Sequence, residues 1–266
     1  MIRAAVLGSP IAHSLSPRLH NAAYKFLDIE GEYNSFDVPG GSLHEFLSNK
    51  GNDWTGFSLT MPLKEEALSC ADTIDPLVKK IASGNTLLNK NGQWYLYSTD
   101  VLGFKNVWKM QSEVKPSSIL IIGSGATSRA ALAAFDSADT RIQVLHRNPD
   151  REKSILNCIE ESTIEFHQWG FNPNLSEFDL IINTTPKFAL DLSTYLVPTN
   201  PTGIFFDVIY NPWPTEFARI WQENGGKILG GLELLIAQGV EQLKIFTGAD
   251  ISTDLLTKQL RAEFNL

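Results

Sequence analysis

Apolar residues follow two alternating rhythms along this chain. Short runs recur at Ile2 to Leu7, Tyr33 to Val38, Gly56 to Thr60, Ile119 to Ile122, Ile142 to Leu145, Phe178 to Asn183 and Gly203 to Ile209. Where such a run has no polar face, it reads as a strand covered on both sides of a parallel sheet. Between the runs, apolar positions recur at helical spacing: Leu19, Ala22, Ala23 and Phe26, then Val101, Leu102, Phe104, Val107 and Trp108, and finally the amphipathic stretch 254–264. Asn91-Gly92 predicts a hairpin that returns through Trp94 to Tyr97. Strands alternating with helices predict an α/β protein, its first half built on a mostly parallel sheet.

The run Ile119–Ile122 leads directly into Gly123-Ser124-Gly125-Ala126-Thr127-Ser128. Two glycines at a strand end permit a tight turn and the close approach of a pyrophosphate. The helix opened by Ala126 and Thr127 would offer free N–H groups and a positive dipole end. A tight turn with no ligand uses the same glycine pair, and the last small-residue position of the fingerprint holds Ser128. The next strand decides more. A NAD-binding unit places an acidic residue at its end for the ribose hydroxyl, whereas this one ends in His146-Arg147-Asn148-Pro149-Asp150-Arg151. Two guanidinium groups clamp a 2′-phosphate, so the pattern points to NADP on a Rossmann-like domain; the alternative is a solvated basic turn.

Candidate chemistry in the first half is more dispersed. Ser16 followed by Pro17 predicts a capped helix start, and Ser14 adds a second hydroxyl to the same loop. The pair suits a carboxylate or polyol ligand, and equally an ordinary capping loop. Pro62 predicts a helix start with Lys64 in its first turn. There the dipole costs the cation about 0.3–1 kcal/mol, so helix stability does not explain the residue. With partial burial, the same dipole would disfavour the ammonium and suit the lysine to proton transfer. A helix expected to end at Gly84 leaves Asn85 at the mouth of a strand. Asp100 is an obvious N-cap for the next helix and, if it faces Lys64, half of an acid/base couple. Asn183-Thr184-Thr185 and Tyr210 follow strands, where open α/β sheets bind ligands. Gln238, alone among apolar neighbours, should face a partner or a cleft.

Composition narrows the classes. The 266 residues carry a formal charge of −8 with 43% hydrophobic and 20% charged residues, ordinary for a soluble enzyme. The negative balance argues against nucleic-acid binding and requires local positive features for any anionic ligand. Cys70 and Cys158 lack metal-ligand spacing, so no metal is predicted and both read as reduced thiols of a cytoplasmic protein. Apolar runs fall short of membrane-spanning length, and Met1–Val6 leads into a strand instead of a signal peptide.

In this order and over nearly the full length, Pro10–Pro17, Thr60–Lys64, Gly84–Leu87, Thr99-Asp100, the glycine loop, His146-Arg147, Asn183–Pro186, Tyr210–Pro212 and Gly231–Gln238 resemble the shikimate dehydrogenase family. The resemblance implies reversible NADPH-dependent reduction of 3-dehydroshikimate to shikimate, in the chorismate route to aromatic amino acids. It implies a substrate domain over 1–102 and 232–266, a Rossmann-like NADP domain over 103–231, and a monomer or homodimer acting on an anionic polyol. Lys64 and Asp100 would be catalytic. Ser14, Ser16, Thr60, Asn85, Tyr210 and Gln238 would bind substrate. Gly123, Gly125, Ala126, Thr127, His146, Arg147, Arg151, Thr184 and Gly231 would bind the cofactor. The family usually shows Asn-Thr-Asp-Gly where this chain has Ser98-Thr99-Asp100-Val101, a second glycine in place of Ala126, and Asn in place of His146. A quinate-accepting or NAD-using relative, and a ligand-binding relative without turnover, are the alternatives.

Overall fold

The computed structural model describes residues 1–50 and 53–266. Contacts divide the chain into two compact units, Met1–Gly103 with Leu235–Leu266, and Phe104–Leu234. The first contains β1 (Ile2–Gly8), α1 (Ser16–Phe26), β2 (Gly31–Asp37), α2 (Leu43–Ser48), β3 (Gly56–Leu59), α3 (Leu63–Glu66), β4 (Thr73–Ile74), α4 (Pro76–Ile81), β5 (Thr86–Lys90) and β6 (Gln93–Tyr97). Helix α5 (Asp100–Lys109) carries the chain into the second unit. There follow β7 (Ser118–Ile122), α6 (Ala126–Phe135), β8 (Arg141–His146), α7 (Glu152–Leu156), β9 (Thr163–Gln168), β10 (Leu180–Asn183), β11 (Ile204–Asp207), α8 (Glu216–Glu223) and β12 (Lys227–Leu229). Helix α9 (Gly231–Thr247) returns the chain to the first unit, and α10 (Thr253–Glu263) closes it.

The sheet of the first unit runs β2-β1-β3-β5-β6-β4 among the described residues. Its β2-β1-β3 half is parallel, while β3 pairs with β5, and β5 with β6, antiparallel. Asn91 and Gly92 both have positive φ, 56° and 85°, which is the twist a two-residue hairpin requires. Phe57 lies at the centre of an aromatic cluster, its ring centroid 5.0 Å from Trp54, 5.5 Å from Phe46 and 5.4 Å from Trp94. Burial of such large rings dominates a core of this size.

In the second unit every strand pairing is parallel and the order is β12-β11-β10-β7-β8-β9. Taken in chain order this is 3-2-1-4-5-6, the doubly wound arrangement of dinucleotide-binding proteins, whose connections reverse between β7 and β10. The fully buried Ile119, Leu120 and Ile121 of β7 explain the absence of a polar face in that run. Strand β9 is absent from the sequence-level reading. It lies at the sheet edge, and its Ile164/Phe166 alternation is the signal that marks it.

Three expected element ends differ. Leu15, not Ser16, holds the N-cap position of α1, and the hydroxyl of Ser14 accepts the Ser16 N–H at 3.3 Å. Helix α4 stops at Ile81, with Ala82 in the left-handed conformation, so Gly84 does not end it; a Cβ on Gly84 would drive into Leu96. Asp100 is the first residue of α5, and the Thr99 carbonyl accepts from Gly103 N–H at 2.9 Å, so the aspartate is released from capping.

Helix α1 buries His20 completely, stacked on Tyr33 at 4.0 Å, with Nε2 donating to Gln242 Oε1 at 3.2 Å. Burial lowers its pKa to about 3, although the Gln242 bond opposes the shift. An unfolded chain protonates this histidine below about pH 6.5. The stability it contributes is therefore complete above that pH and declines as the pH falls toward the folded value. Urea titrations should show a loss of about 1.4 kcal/mol per pH unit from this group between about pH 6 and 4.5. The decline should be shallower by that amount in His20→Phe; equal slopes in the two proteins would refute the assignment.

Candidate active site

In the first unit, a backbone bond from Gly84 N–H to the Lys64 carbonyl, 2.9 Å, ties the β3–α3 turn to the start of β5. This brings Lys64 and Asn85 alongside the beginning of α5. Lys64 Nζ donates to Asp100 Oδ2 at 2.6 Å, with side-chain exposures of 16% and 6%. Asn85 Nδ2 donates to the other carboxylate oxygen, Oδ1, at 3.0 Å. The same Nδ2 lies 2.9 Å from Thr99 Oγ1 and 3.2 Å from Gln238 Oε1, while Gln238 Nε2 donates to the Leu235 carbonyl at 2.8 Å. Four predicted residues, Lys64, Asn85, Asp100 and Gln238, thus form one hydrogen-bonded cluster.

Helix α3 is a single turn followed by a 3-10 turn over Ala67–Ser69, too short for the dipole argument to govern Lys64; the aspartate holds it instead. Among the described residues, Ser14, Ser16 and Thr60 make no hydrogen bond to that cluster. Thr60 and the loop after β1 are nonetheless neighbours, because Ser9 N–H donates to the Met61 carbonyl at 3.0 Å and a Cβ on Gly8 would meet the Thr60 methyl. Ser98 is buried and its hydroxyl has no hydrogen-bond partner.

In the second unit the reversal between β7 and β10 carries the glycine loop. Gly123 has φ of +120°, and a Cβ there would collide with Thr184 Oγ1. The Thr184 hydroxyl donates to the Ile122 carbonyl at 2.9 Å, so it must accept from Ser128 Oγ, 2.6 Å away, and Ser128 Oγ in turn accepts the Gly125 N–H at 3.1 Å. A continuous chain of donors therefore joins Gly125, Ser128, Thr184 and Ile122. The serine that departs from the expected small residue is what closes the loop.

Ala126 and Thr127 open α6, whose first-turn N–H groups lack intrahelical acceptors. Arg151 reaches back to donate to the Ser124 carbonyl at 3.2 Å, and a Cβ on Gly125 would find its Nη1 at 3.9 Å, so the space over Gly125 faces a guanidinium. Arg147 is exposed. His146 is buried; Nδ1 donates to the Asn148 carbonyl at 3.1 Å, and Nε2 lies 3.1 Å from Glu152 Oε1 without hydrogen-bond alignment.

Sequence reading missed Asp207, at the end of β11. Its carboxylate takes bonds from Thr215 Oγ1 at 2.8 Å, Ile209 N–H at 3.1 Å and Asn183 Nδ2 at 3.1 Å. Burial pushes its pKa up and these three donors only partly reverse the shift. The aspartate fixes the segment that carries Tyr210, and Gly231 N–H donates to the Ile209 carbonyl at 3.1 Å, bringing Gly231 beside it. A Cβ on Gly231 would collide with the Val208 carbonyl. No helix among the described residues is long and apolar enough to cross a membrane, and no cluster there of three His, Cys, Asp or Glu residues could hold a metal ion.

One unit is doubly wound, with a glycine loop braced by hydroxyls, and the other holds the Lys64–Asp100 pair; together they define the chain as an α/β protein of the dinucleotide-binding class. Residues 6–87 match the family model for the shikimate dehydrogenase substrate binding domain. Shikimate dehydrogenase (NADP(+)) of Ignicoccus hospitalis is 32% identical over 92% of this chain and 93% of its own length. That of Staphylococcus epidermidis is 32% identical over 94% and 92%. The crystal structure of the Thermus thermophilus enzyme in complex with NADP(H) and shikimate superposes with a TM-score of 0.84 at 30% identity, covering 98% of this chain and 99% of that one. The Mycobacterium tuberculosis enzyme gives 0.86 at 29% identity, covering 98% and 100%. The chain belongs to the shikimate dehydrogenase family.

Ser128→Ala removes the middle of the hydroxyl chain and leaves the Thr184 oxygen without its donor. Denaturant unfolding should show a loss of about 1–2 kcal/mol. A change near zero would mean that the chain contributes nothing to holding the loop.

Proposed function

We propose that the protein catalyses the reversible reduction of 3-dehydroshikimate to shikimate with NADPH, a step toward aromatic amino acids. The observation that carries this reading is the 2.6 Å contact between Lys64 Nζ and Asp100 Oδ2, with Asn85 on the second carboxylate oxygen. A ketone reduced by hydride becomes an alkoxide and needs a proton donor at that oxygen; an ammonium held by a carboxylate supplies one. NADPH, when bound, supplies the hydride. Lys64 donates its proton to the developing alkoxide and recovers it in the reverse direction. Asp100 orients the ammonium and receives the same substrate hydroxyl, while Asn85 keeps the carboxylate from turning away.

The first domain would hold the anionic polyol. Ser14 and Ser16 are assigned to its carboxylate, and Thr60 and the second N–H of Gln238 to its hydroxyls and ring face. The Asn85 amide is engaged by Asp100, Thr99 and Gln238, so we assign it to orienting Asp100 more than to contacting substrate.

The residues of the second unit fit NADP. The open space over Gly125 faces Arg151, which suits an anion there, and the first-turn N–H groups of Ala126 and Thr127 suit a pyrophosphate. Arg147 and Arg151 are assigned to the 2′-phosphate, and Gly123, Thr184, His146 and Gly231 to shaping the rest of the site. Local positive charge of this kind is needed in a chain of net charge −8.

Oxidation of shikimate and of quinate, each with NADP and with NAD, tests the reading. Shikimate with NADP should be turned over fastest; turnover with neither substrate would leave a ligand-binding relative. Lys64→Ala should lower kcat by about 10²–10⁴-fold with little change in KM, and full turnover would remove Lys64 from the mechanism. Replacing Arg147 and Arg151 together by Ala should raise KM for NADP about 10-fold or more while leaving NAD little affected. Equal losses with both cofactors would sink the phosphate assignment.

A further inference from the structure

We propose that Gln242, which belongs to neither the substrate nor the cofactor set, is a positioning residue that orients Asn85, and through it Asp100, from inside the first unit. The inference rests on the catalytic assignment of Lys64 and Asp100.

Gln242 is 2% exposed on α9 and uses all four of its hydrogen-bonding capacities. Its Nε2 donates to the Asn85 carbonyl at 3.1 Å and to Thr86 Oγ1 at 3.0 Å. Its Oε1 accepts from Ser58 Oγ at 2.8 Å and from His20 Nε2 at 3.2 Å. A carbonyl can only accept, so the Asn85 backbone oxygen fixes which way the Gln242 amide points. Thr86 Oγ1, occupied by that donor, turns its own proton onto Asn85 Oδ1 at 2.8 Å. The Thr99 N–H, which can only donate, meets the same Oδ1 at 2.9 Å.

With Oδ1 held by two donors, Asn85 must direct Nδ2 at Asp100 Oδ1, 3.0 Å away. The sense of every bond from Gln242 to the carboxylate is thereby determined. Without a donor at position 242, the Thr86 hydroxyl loses its reason to point at Asn85. Asn85 Oδ1 then keeps the Thr99 N–H but loses one of its two donors, so the amide is held less firmly and Nδ2 aligns less well on the second oxygen of Asp100.

The test is steady-state shikimate oxidation with NADP by Gln242→Met, which keeps the volume and removes the hydrogen bonds. The expected result is a kcat lower by about 10-fold, with KM for shikimate within about two-fold of wild type. Ser58→Ala removes a donor to Oε1 but leaves both Nε2 bonds. It should keep kcat within about two-fold while lowering Tm. Thr86→Val cuts the link between Gln242 and the Asn85 side chain, should reproduce the kcat loss, and decides the matter if Gln242→Met does not fold. Wild-type kcat in whichever of these two variants folds, a loss confined to KM, or an equal kcat loss in Ser58→Ala would overturn the proposal. An inactive wild-type enzyme would instead sink the catalytic reading beneath it, whereas an active one with an unaltered variant sinks this inference alone.

Discussion

A carboxylate drawn out of water against an ammonium persists only when its remaining polar capacity is met, because it loses several kcal/mol of hydration. Asp100, whose side chain is 6% exposed, meets that condition through geometry supplied by segments far apart in sequence. The tie between Gly84 and the Lys64 carbonyl sets two of them side by side, and the freed first residue of α5 brings the third. Asn85 then takes the second carboxylate oxygen, and its own amide is satisfied by Thr86, Thr99 and Gln238. A partly satisfied network of this kind would be worse than an apolar core, and this one extends inward to Gln242, whose four hydrogen-bonding positions are all taken.

The second unit solves a related problem with hydroxyls instead of charges. A tight turn at the end of β7, with Gly123 at a φ of +120°, needs rigidity without bulk. The Gly125–Ser128–Thr184–Ile122 chain provides it, joining the loop to both strands that flank the reversal in strand order. Asp207 does the same for the segment after β11, with three donors on one buried carboxylate. In both units, polar groups at strand ends are held by other polar groups, and the apolar runs behind them keep the ends in register.

Most of the architecture was legible from apolar rhythm alone. The runs at β1, β7, β10 and β11 and the Asn91-Gly92 hairpin lie where hydrophobic pattern and turn chemistry put them. The half-buried edge strand β9 was lost because its short alternation resembles an exposed loop. Caps were less legible: Ser16, Gly84 and Asp100 each suit a helix end by residue type, yet Leu15, Ala82 and Thr99 hold or share those places. A cap is worth about 1 kcal/mol, so a tertiary contact such as Lys64 with Asp100 readily displaces it.

The sequence by itself determined the buried strands and the main helices, the glycine turn with its arginine pair, and the family resemblance, because these depend on local spacing and on residue types with few alternatives. Only the tertiary structure decided that Ser128 closes the loop, that Asn85 bonds Asp100, and that Asp207 and Gln242 are buried centres of hydrogen bonding. The reason is physical: a hydrogen bond between residues tens to hundreds of positions apart leaves no periodic trace in the chain. Its direction follows from which neighbouring groups can donate and which can only accept.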